Sequence, residues 1–337
     1  MKIDTEGQTR LDDIANKILS KDGSLGEQAP ALCSYAGLCG SLSLPDFGAK
    51  QFSEYTDEGG RIISPVSAIE CVTDYVRTVE FLNGIYKGIL ELKRRFPGEK
   101  LHIMYGGCGP YATLLYPLLR RFSKDELEIE LVDYYAICVD NAVHISRQLG
   151  FNGYIKSVEN GDVRTYEPKG RPHMIILEAM DKALLNEHQV AGEYNLRRFL
   201  REDGLFVPDV VDLSATVVDD LGSAVLGKLF SLQGDVRERV GAVMEGFLIS
   251  GRFELPDNLE GEGKVVIKTE VTIFDDVKLS PGTSCITCDT TCGFFDSKDA
   301  VGHDLEISYK PGEAQNDISL NLVPGNPAKV LVESDYA

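Results

Sequence analysis

The stretch "LHIMYGGCGPYATLLY" (residues 101–116) runs an apolar segment of strand character straight into a glycine-rich turn. "LHIMY" (101–105) has the length of one buried strand. "GGCGP" then re-enters an apolar segment, "YATLLYPLLRRF" (111–122), which reads as a helix. The residues that follow repeat this unit. "LEIELVD" (127–133) is a second strand, followed by a helix over about 135–149. "GYIKSV" (153–158), "HMIIL" (173–177) and "GLFVPD" (204–209) are three more strands, with a helix over roughly 188–201. Strands alternating with helices through short loops predict an α/β fold with a parallel sheet covered on both faces.

Working outward, Ser64 and Pro65 give an N-cap and first-turn signal, and apolar residues follow at steps of three and four from Val66 to Leu92. The spacing predicts one long helix, closed by "FPG" (96–98). Before it, "LDDIANKILS" (11–20) is a short amphipathic helix, and a Gly-, Ser- and Pro-rich connector fills the rest of the N-terminal segment. Beyond about residue 213 a helical passage (about 215–247) is expected. It is followed by "KVVIKTEVTIF", "DLEISYK" and "DISLNLV", whose alternation predicts half-buried antiparallel strands. The expected organisation is a helical cap and connector (1–63), a Rossmann-like parallel-sheet domain (64–212), and a helical segment plus a β-rich, barrel- or sandwich-like domain (213–337).

With 34 Lys and Arg against 53 Asp and Glu, the net charge is −19. The summed field repels phosphate backbones and anionic lipid surfaces and draws in cations, so nucleic acid and membrane are poor partners. No segment approaches the roughly 20 apolar residues of a membrane span, and there is no secretory leader, which predicts a cytoplasmic protein. The eight cysteines are scattered. Cys33, Cys39, Cys71, Cys108 and Cys138 stand in apolar contexts as reduced thiols, and no disulfide framework is indicated.

In open α/β sheets ligands bind at the carboxyl ends of strands. Gly106, Gly107 and Gly109 occupy such a strand-to-helix turn, and Asp133 ends the next strand, where a carboxylate accepts both ribose hydroxyls of a nucleoside. Three positions after Gly109 stands Ala112, so the full G-x-G-x-x-G spacing is missing, and there is no Walker lysine. Nothing here is arranged to neutralise a pyrophosphate, whereas a nucleoside without phosphates, such as S-adenosyl-L-methionine, fits.

The glycine turn, the acid ending the second strand and "FLREDGLFVPD" (199–209) resemble the class I S-adenosylmethionine-dependent methyltransferases. Three stretches resemble the protein arginine methyltransferases in particular. "DYVRT" (74–78) is similar to their Asp-x-Val-Arg-Thr, "EAMDKALLNE" (178–187) has the spacing of their double-Glu hairpin, and "DGLFVPD" is similar to their "DGLIFPD". The likeness covers roughly residues 70–210. It implies that Arg77 binds the cofactor's methionine carboxylate, that Gly106, Gly107 and Gly109 line the methionine and ribose, and that Asp133 holds the ribose. It also implies that Asp162 or Val163 contacts adenine, and that a C-terminal β-barrel follows. The chain departs from the family where Glu-Trp-Met-Gly-Tyr becomes Glu-Ala-Met-Asp-Lys, and it has no tryptophan for the Thr-His-Trp loop. These departures favour a small-molecule or amino-acid-like acceptor over protein arginine; a homodimer is compatible with this reading.

On one continuous helix the nine steps from Glu178 to Glu187 turn the chain about 900°, so the two side chains would point to opposite faces. Convergence requires Glu178 at a strand end, Glu187 on the first turn of the following helix, and residues 179–186 looping back. A converged pair holds a cation and would orient an amine or guanidinium nucleophile, with Lys182 offsetting part of the charge. His188 and Gln189 follow the pair directly. A second chemistry uses the same pocket without methyl transfer. The cofactor's own α-amine attacks the carbon beside sulfur, giving azetidine-2-carboxylate and methylthioadenosine. A cofactor-binding module without catalysis ranks behind both. "SCITCDTTC" (284–292) has C-x-x-C-x-x-x-C spacing but no clear fourth ligand, so Cys285, Cys288 and Cys292 read as small barrel residues and not as a metal site.

Overall fold

The computed structural model describes residues 5–20, 23–45, 47, 53–57, 60–233, 249–310 and 318–325. Leu11, Ile14 and Ile18 give helix α1 (Thr5–Ile18) one buried face. The expected connector holds a second helix, α2 (Leu25–Leu42), with Pro30 inside it. Its buried side chains fall at positions 28, 31, 32, 35, 38 and 39, a helical stripe that the glycines and the proline conceal. Gln28 Nε2 donates to the Ile18 carbonyl at 3.1 Å, closing the end of α1, and the Tyr35 hydroxyl donates to the Tyr111 carbonyl at 2.6 Å, docking α2 on the glycine turn. Strands β1 (Tyr55–Asp57) and β2 (Gly60–Ile62) form an antiparallel hairpin.

The expected long helix is broken. Helix α3 (Pro65–Glu70) runs into a 3₁₀ turn, Cys71–Thr73, and a new helix, α4 (Tyr75–Arg95), starts after it. Asp74 leaves helical geometry at φ −77, ψ 77, and its side chain accepts from Arg77 N at 3.3 Å, so it is the N-cap of α4. Strand β3 (Leu101–Gly106) follows. The segment after the glycine turn is not an α-helix: only a 3₁₀ turn, Tyr116–Arg121, forms there. Pro117 lacks the N–H an α-helix needs, and Ala112 adopts φ +44.

Strand β4 (Leu127–Asp133), helix α5 (Ala136–Leu149), strands β5 (Ile155–Asn160) and β6 (Met174–Leu177), helix α6 (Gln189–Arg197) and strand β7 (Leu205–Val207) complete the α/β unit. The sheet is parallel throughout, in the order β5-β4-β3-β6-β7. Ile103, Tyr105, Ile129, Leu131, Met174 and Ile176 face the core shared with α4 and α5. Met104, Val132, Ile175 and Leu177 face Leu196 of α6 and Phe206. Both faces are covered, as the apolar strands required.

The passage expected to be helical is strand instead: β8 (Val210–Asp219) and β9 (Gly222–Leu232) form a hairpin, while the remainder of that expectation, residues 234–247, lies outside the described residues. Val211, Leu213, Ala215 and Val217 are buried alternately, and Asp219 Oδ1 accepts from both Leu221 N and Gly222 N at 3.0 Å to close the turn. Then come β10 (Ile249–Glu254), β11 (Glu262–Phe274), β12 (Val277–Leu279), β13 (Thr290–Asp296), β14 (His303–Tyr309) and β15 (Ser319–Pro324). Strand β11 pairs with β8 along one edge and with β13 and β12 along the other, and β10, β14 and β15 make a second antiparallel sheet. The architecture is a Rossmann-like parallel core joined to antiparallel β-rich layers. Among the described residues no helix is long and apolar enough to cross a membrane.

Candidate active site

The strand order reverses between β3 and β6, so a crevice opens where their carboxyl ends diverge. A cavity of about 870 Å³ occupies that place. It is lined by Arg77, Gly107, Gly109, Asp133, Asp162, Val163, Glu178 and Glu187, which brings together every expected site residue except Gly106. Gly107 and Gly109 have φ of +65° and +62°, the left-handed region open to glycine. Gly106 serves packing, because a Cβ there would meet Val163 Cγ1 at 2.9 Å.

Asp133 organises the turn that it faces. Its Oδ2 accepts from Gly109 N at 2.8 Å and its Oδ1 from Tyr135 N at 2.9 Å. Burial pushes this carboxyl up, against those two donors. Asp162, just past β5, is gripped by Arg164, whose Nη2 lies 2.7 Å from its Oδ2. The same guanidinium reaches Asp57 of the β1–β2 hairpin at 3.1 and 2.7 Å. Burial opposes the charge on Asp162, but Arg164 holds the carboxyl below its usual range.

Arg77 is not a surface residue paired with Asp74. It is 6% exposed, its Nη1 donates to Glu178 Oε2 at 2.7 Å, and its Nη2 donates to the Cys71 carbonyl at 2.9 Å. Its buried Nε has no hydrogen-bond partner among the described residues. Asp74 faces the β-rich part of the molecule instead: its Oδ2 accepts from Ser284 Oγ at 2.7 Å and from Cys285 N at 2.8 Å.

Glu178 directly follows β6, and the chain then loops through a 3₁₀ turn, Lys182–Leu184, where Ala183 and Leu184 both have φ of +56°. Asn186 N donates to Asp181 Oδ1 at 2.9 Å within the loop, and Ala183 N donates to Thr269 Oγ1 of β11 at 3.0 Å. Glu187 stands just before α6, not on its first turn, and aligns with Arg61 in an isolated parallel bridge. This is the break that convergence required. Both glutamates line the cavity, and burial, then Glu178 and Asp181, push the Glu187 carboxyl up to about 8 against Arg61 and Arg77. Arg61 Nη2 lies 3.6 Å from Glu187 Oε1, and Arg61 Nη1 lies 3.6 Å from Glu54 Oε2.

All eight cysteines are free. Cys39, Cys108 and Cys138 are buried, as their apolar contexts implied, whereas Cys33 is exposed, with its Sγ 3.2 Å from the Tyr75 hydroxyl. Cys285 and Cys288 line the cavity, while Cys292 sits on β13 with its thiol pushed up to about 12 by burial. Among the described residues no group of three or more His, Cys, Asp or Glu is placed to hold a metal.

Arg61, Arg164 and Thr269 shape the site without standing out in the sequence, and Asp74 shapes it from within "DYVRT". Only Asp74 carried a signal, the N-cap position before "YVRT".

No family model and no curated protein matches the chain. Among solved structures the chain is similar to the PRMT1 enzyme-prozyme heterotetrameric complex with AdoHcy of Trypanosoma brucei. The identity is 13% and the TM-score 0.51, over 77% of this chain and 93% of that one. The likeness is one of fold.

Proposed function

We propose that the chain uses S-adenosyl-L-methionine to methylate an amine-type nucleophile on a small, amino-acid-like molecule. One observation carries this reading: the glycine turn, Asp133, Asp162 and Arg77 share a single cavity with both glutamates of the broken loop. A solved structure with a similar fold is named as a complex with AdoHcy, which supports the same cofactor class here.

The donor set fits that group. Gly107 and Gly109 allow close backbone approach. Each oxygen of Asp133 accepts one N–H and keeps an acceptor site for a ribose hydroxyl. Asp162 and Val163 wall the position expected for adenine. Arg77, on the cavity wall, is a cation suited to the cofactor's carboxylate. When bound, S-adenosylmethionine supplies an electrophilic methyl group on a sulfonium. The chain's own residues then orient the acceptor and manage one proton. Glu178 is neutralised by Arg77, which leaves Glu187 to face the acceptor, and a carboxyl pushed up to about 8 suits proton transfer from an ammonium near neutral pH. The volume of about 870 Å³ lies toward the upper end of small-molecule sites, in keeping with a cofactor and an acceptor together.

Incubation with S-adenosylmethionine, alone and with amine acceptors, tests this reading. S-adenosylhomocysteine is expected only when an acceptor is present. Methylthioadenosine from S-adenosylmethionine alone would replace methyl transfer with self-cyclisation to azetidine-2-carboxylate.

A further inference from the structure

We infer that Arg61 holds a carboxylate of the acceptor, so that the acceptor is a zwitterion: a free α-amino acid or a close analogue bearing both ammonium and carboxylate. The inference rests on the reading of the site as amine methylation and names the class of molecule that enters it.

Arginine side chains around the cavity differ in how far their donors are used. Arg77 is held by Glu178 at 2.7 Å and by the Cys71 carbonyl at 2.9 Å, and Arg164 grips Asp57 and Asp162. Arg61 makes no side-chain hydrogen bond among the described residues. Its two terminal nitrogens stand 3.6 Å from Glu54 and Glu187, beyond the length of a good hydrogen bond, and its Nε is buried without a partner. A guanidinium carries five N–H donors in a planar fork matched to a carboxylate. Here the two terminal nitrogens of that fork lie on a cavity wall in loose ion pairs, without a hydrogen bond among the described residues.

The backbone under Arg61 is well anchored. Arg61 N donates to the Asn186 carbonyl, Asp57 is clasped by Arg164, the Tyr135 hydroxyl donates to the Ser53 carbonyl at 2.9 Å, and the Tyr55 and Tyr134 rings meet at 5.1 Å. The hairpin thus fixes the backbone of Arg61 beside that of Glu187. A purely cationic acceptor, such as a peptide guanidinium, would have to approach Glu187 next to the like charge of Arg61. A purely anionic one would find Glu54 and Glu187 beside its carboxylate. A zwitterion meets both demands, with its ammonium toward Glu187 and its carboxylate toward Arg61, replacing a loose 3.6 Å contact by two charge-assisted ones.

The test is calorimetry on the full chain saturated with S-adenosylhomocysteine, titrated with each free proteinogenic amino acid and then with the carboxamide of any that binds. Wild type, Arg61→Lys and Arg61→Gln are compared, and S-adenosylhomocysteine binding reports that each is folded. At least one free amino acid is expected to bind, and its amide to bind about tenfold more weakly or worse, as loss of a hydrogen bond to a charged group implies. Arg61→Gln is expected to erase that difference and Arg61→Lys to keep part of it. Equal binding of acid and amide, binding by no free amino acid, or discrimination that survives Arg61→Gln would each overturn the assignment. Failure of the wild type to bind S-adenosylhomocysteine is seen before any amino acid is added; it would remove the underlying reading, and this one with it.

Discussion

Arg77 Nη1 lies 2.7 Å from Glu178 Oε2, with the two side chains only 7% and 10% exposed, so one buried ion pair ties the start of α4 to the carboxyl end of β6. Burial pushes the Glu178 carboxyl up while Arg77 pulls against it. Removing either partner leaves an uncompensated charge in a poorly solvated place. Arg77→Ala is expected to cost about 3–5 kcal/mol in denaturant unfolding, whereas the apolar double variant Arg77→Met with Glu178→Leu should lose far less. Single and double variants of equal stability would show that the pair is not the buried contact described.

Asp74 does two jobs. It caps α4 through Arg77 N, and it binds Ser284 Oγ and Cys285 N of the loop after β12. Loss of an N-cap costs about 0.5–2 kcal/mol, and each further hydrogen bond about 0.5–1.5 kcal/mol. Asp74→Ala should therefore cost about 2–4 kcal/mol in the same assay, and Ser284→Ala only about 1 kcal/mol. If both variants lose the same amount, the cap contributes nothing and only the tether remains.

The parallel core was legible because strands buried on both faces read as unbroken apolar runs: "HMIIL" can hardly be anything but β6. Helix α2 was hidden because "LGEQAPALCSYAGLCGSL" mixes glycine and proline with apolar residues, and its helical stripe becomes clear only once α1 and the glycine turn cover it. A usable sign existed in the Ser24-x-x-Glu27 spacing, since Glu27 Oε2 accepts from Ser24 N at 3.4 Å. For β8 the alternation of Val211, Leu213, Ala215 and Val217 and the "DDLG" turn (219–222) carried the strand signal, against the helical reading of that passage. In the site, local spacing found Glu178 and Glu187 and the need for a break between them. Arg61 was not legible, since it lies 126 positions from Glu187 and the two meet only through folding of the hairpin.

Helix α4 approaches β11 through glycine. A Cβ on Gly84 would lie 2.3 Å from Ile273 Cγ2, and one on Gly88 would lie 2.8 Å from Met174 Cε. Gly84→Ala overpacks a full interface and is expected to cost about 1–3 kcal/mol despite alanine's better helix propensity. Pairing it with Ile273→Ala should cost less than the sum of the two single changes. Strict additivity in unfolding free energy would mean that the two positions do not press on one another.

Glu187 makes stability depend on pH in a defined direction. In an unfolded chain a glutamate titrates near 4.3, whereas burial beside Glu178 and Asp181 pushes Glu187 up to about 8 in the folded protein. Between those values the folded chain keeps a proton that the unfolded chain has released, so its contribution is complete below about pH 4 and is lost as pH rises through about 8. Glu193, buried and pushed up to about 7 despite Arg197 Nε at 2.6 Å, acts in the same direction over a lower window. The unfolding midpoint of the wild type should thus fall as pH is raised from 5 to 9. Glu187→Gln keeps a neutral side chain of the same size at every pH, so its midpoint should fall less between pH 5 and 8, leaving mainly the Glu193 step below about pH 7. Parallel midpoint curves for the two proteins would show that Glu187 is already ionised in the folded cavity, so that burial does not raise its carboxyl as described.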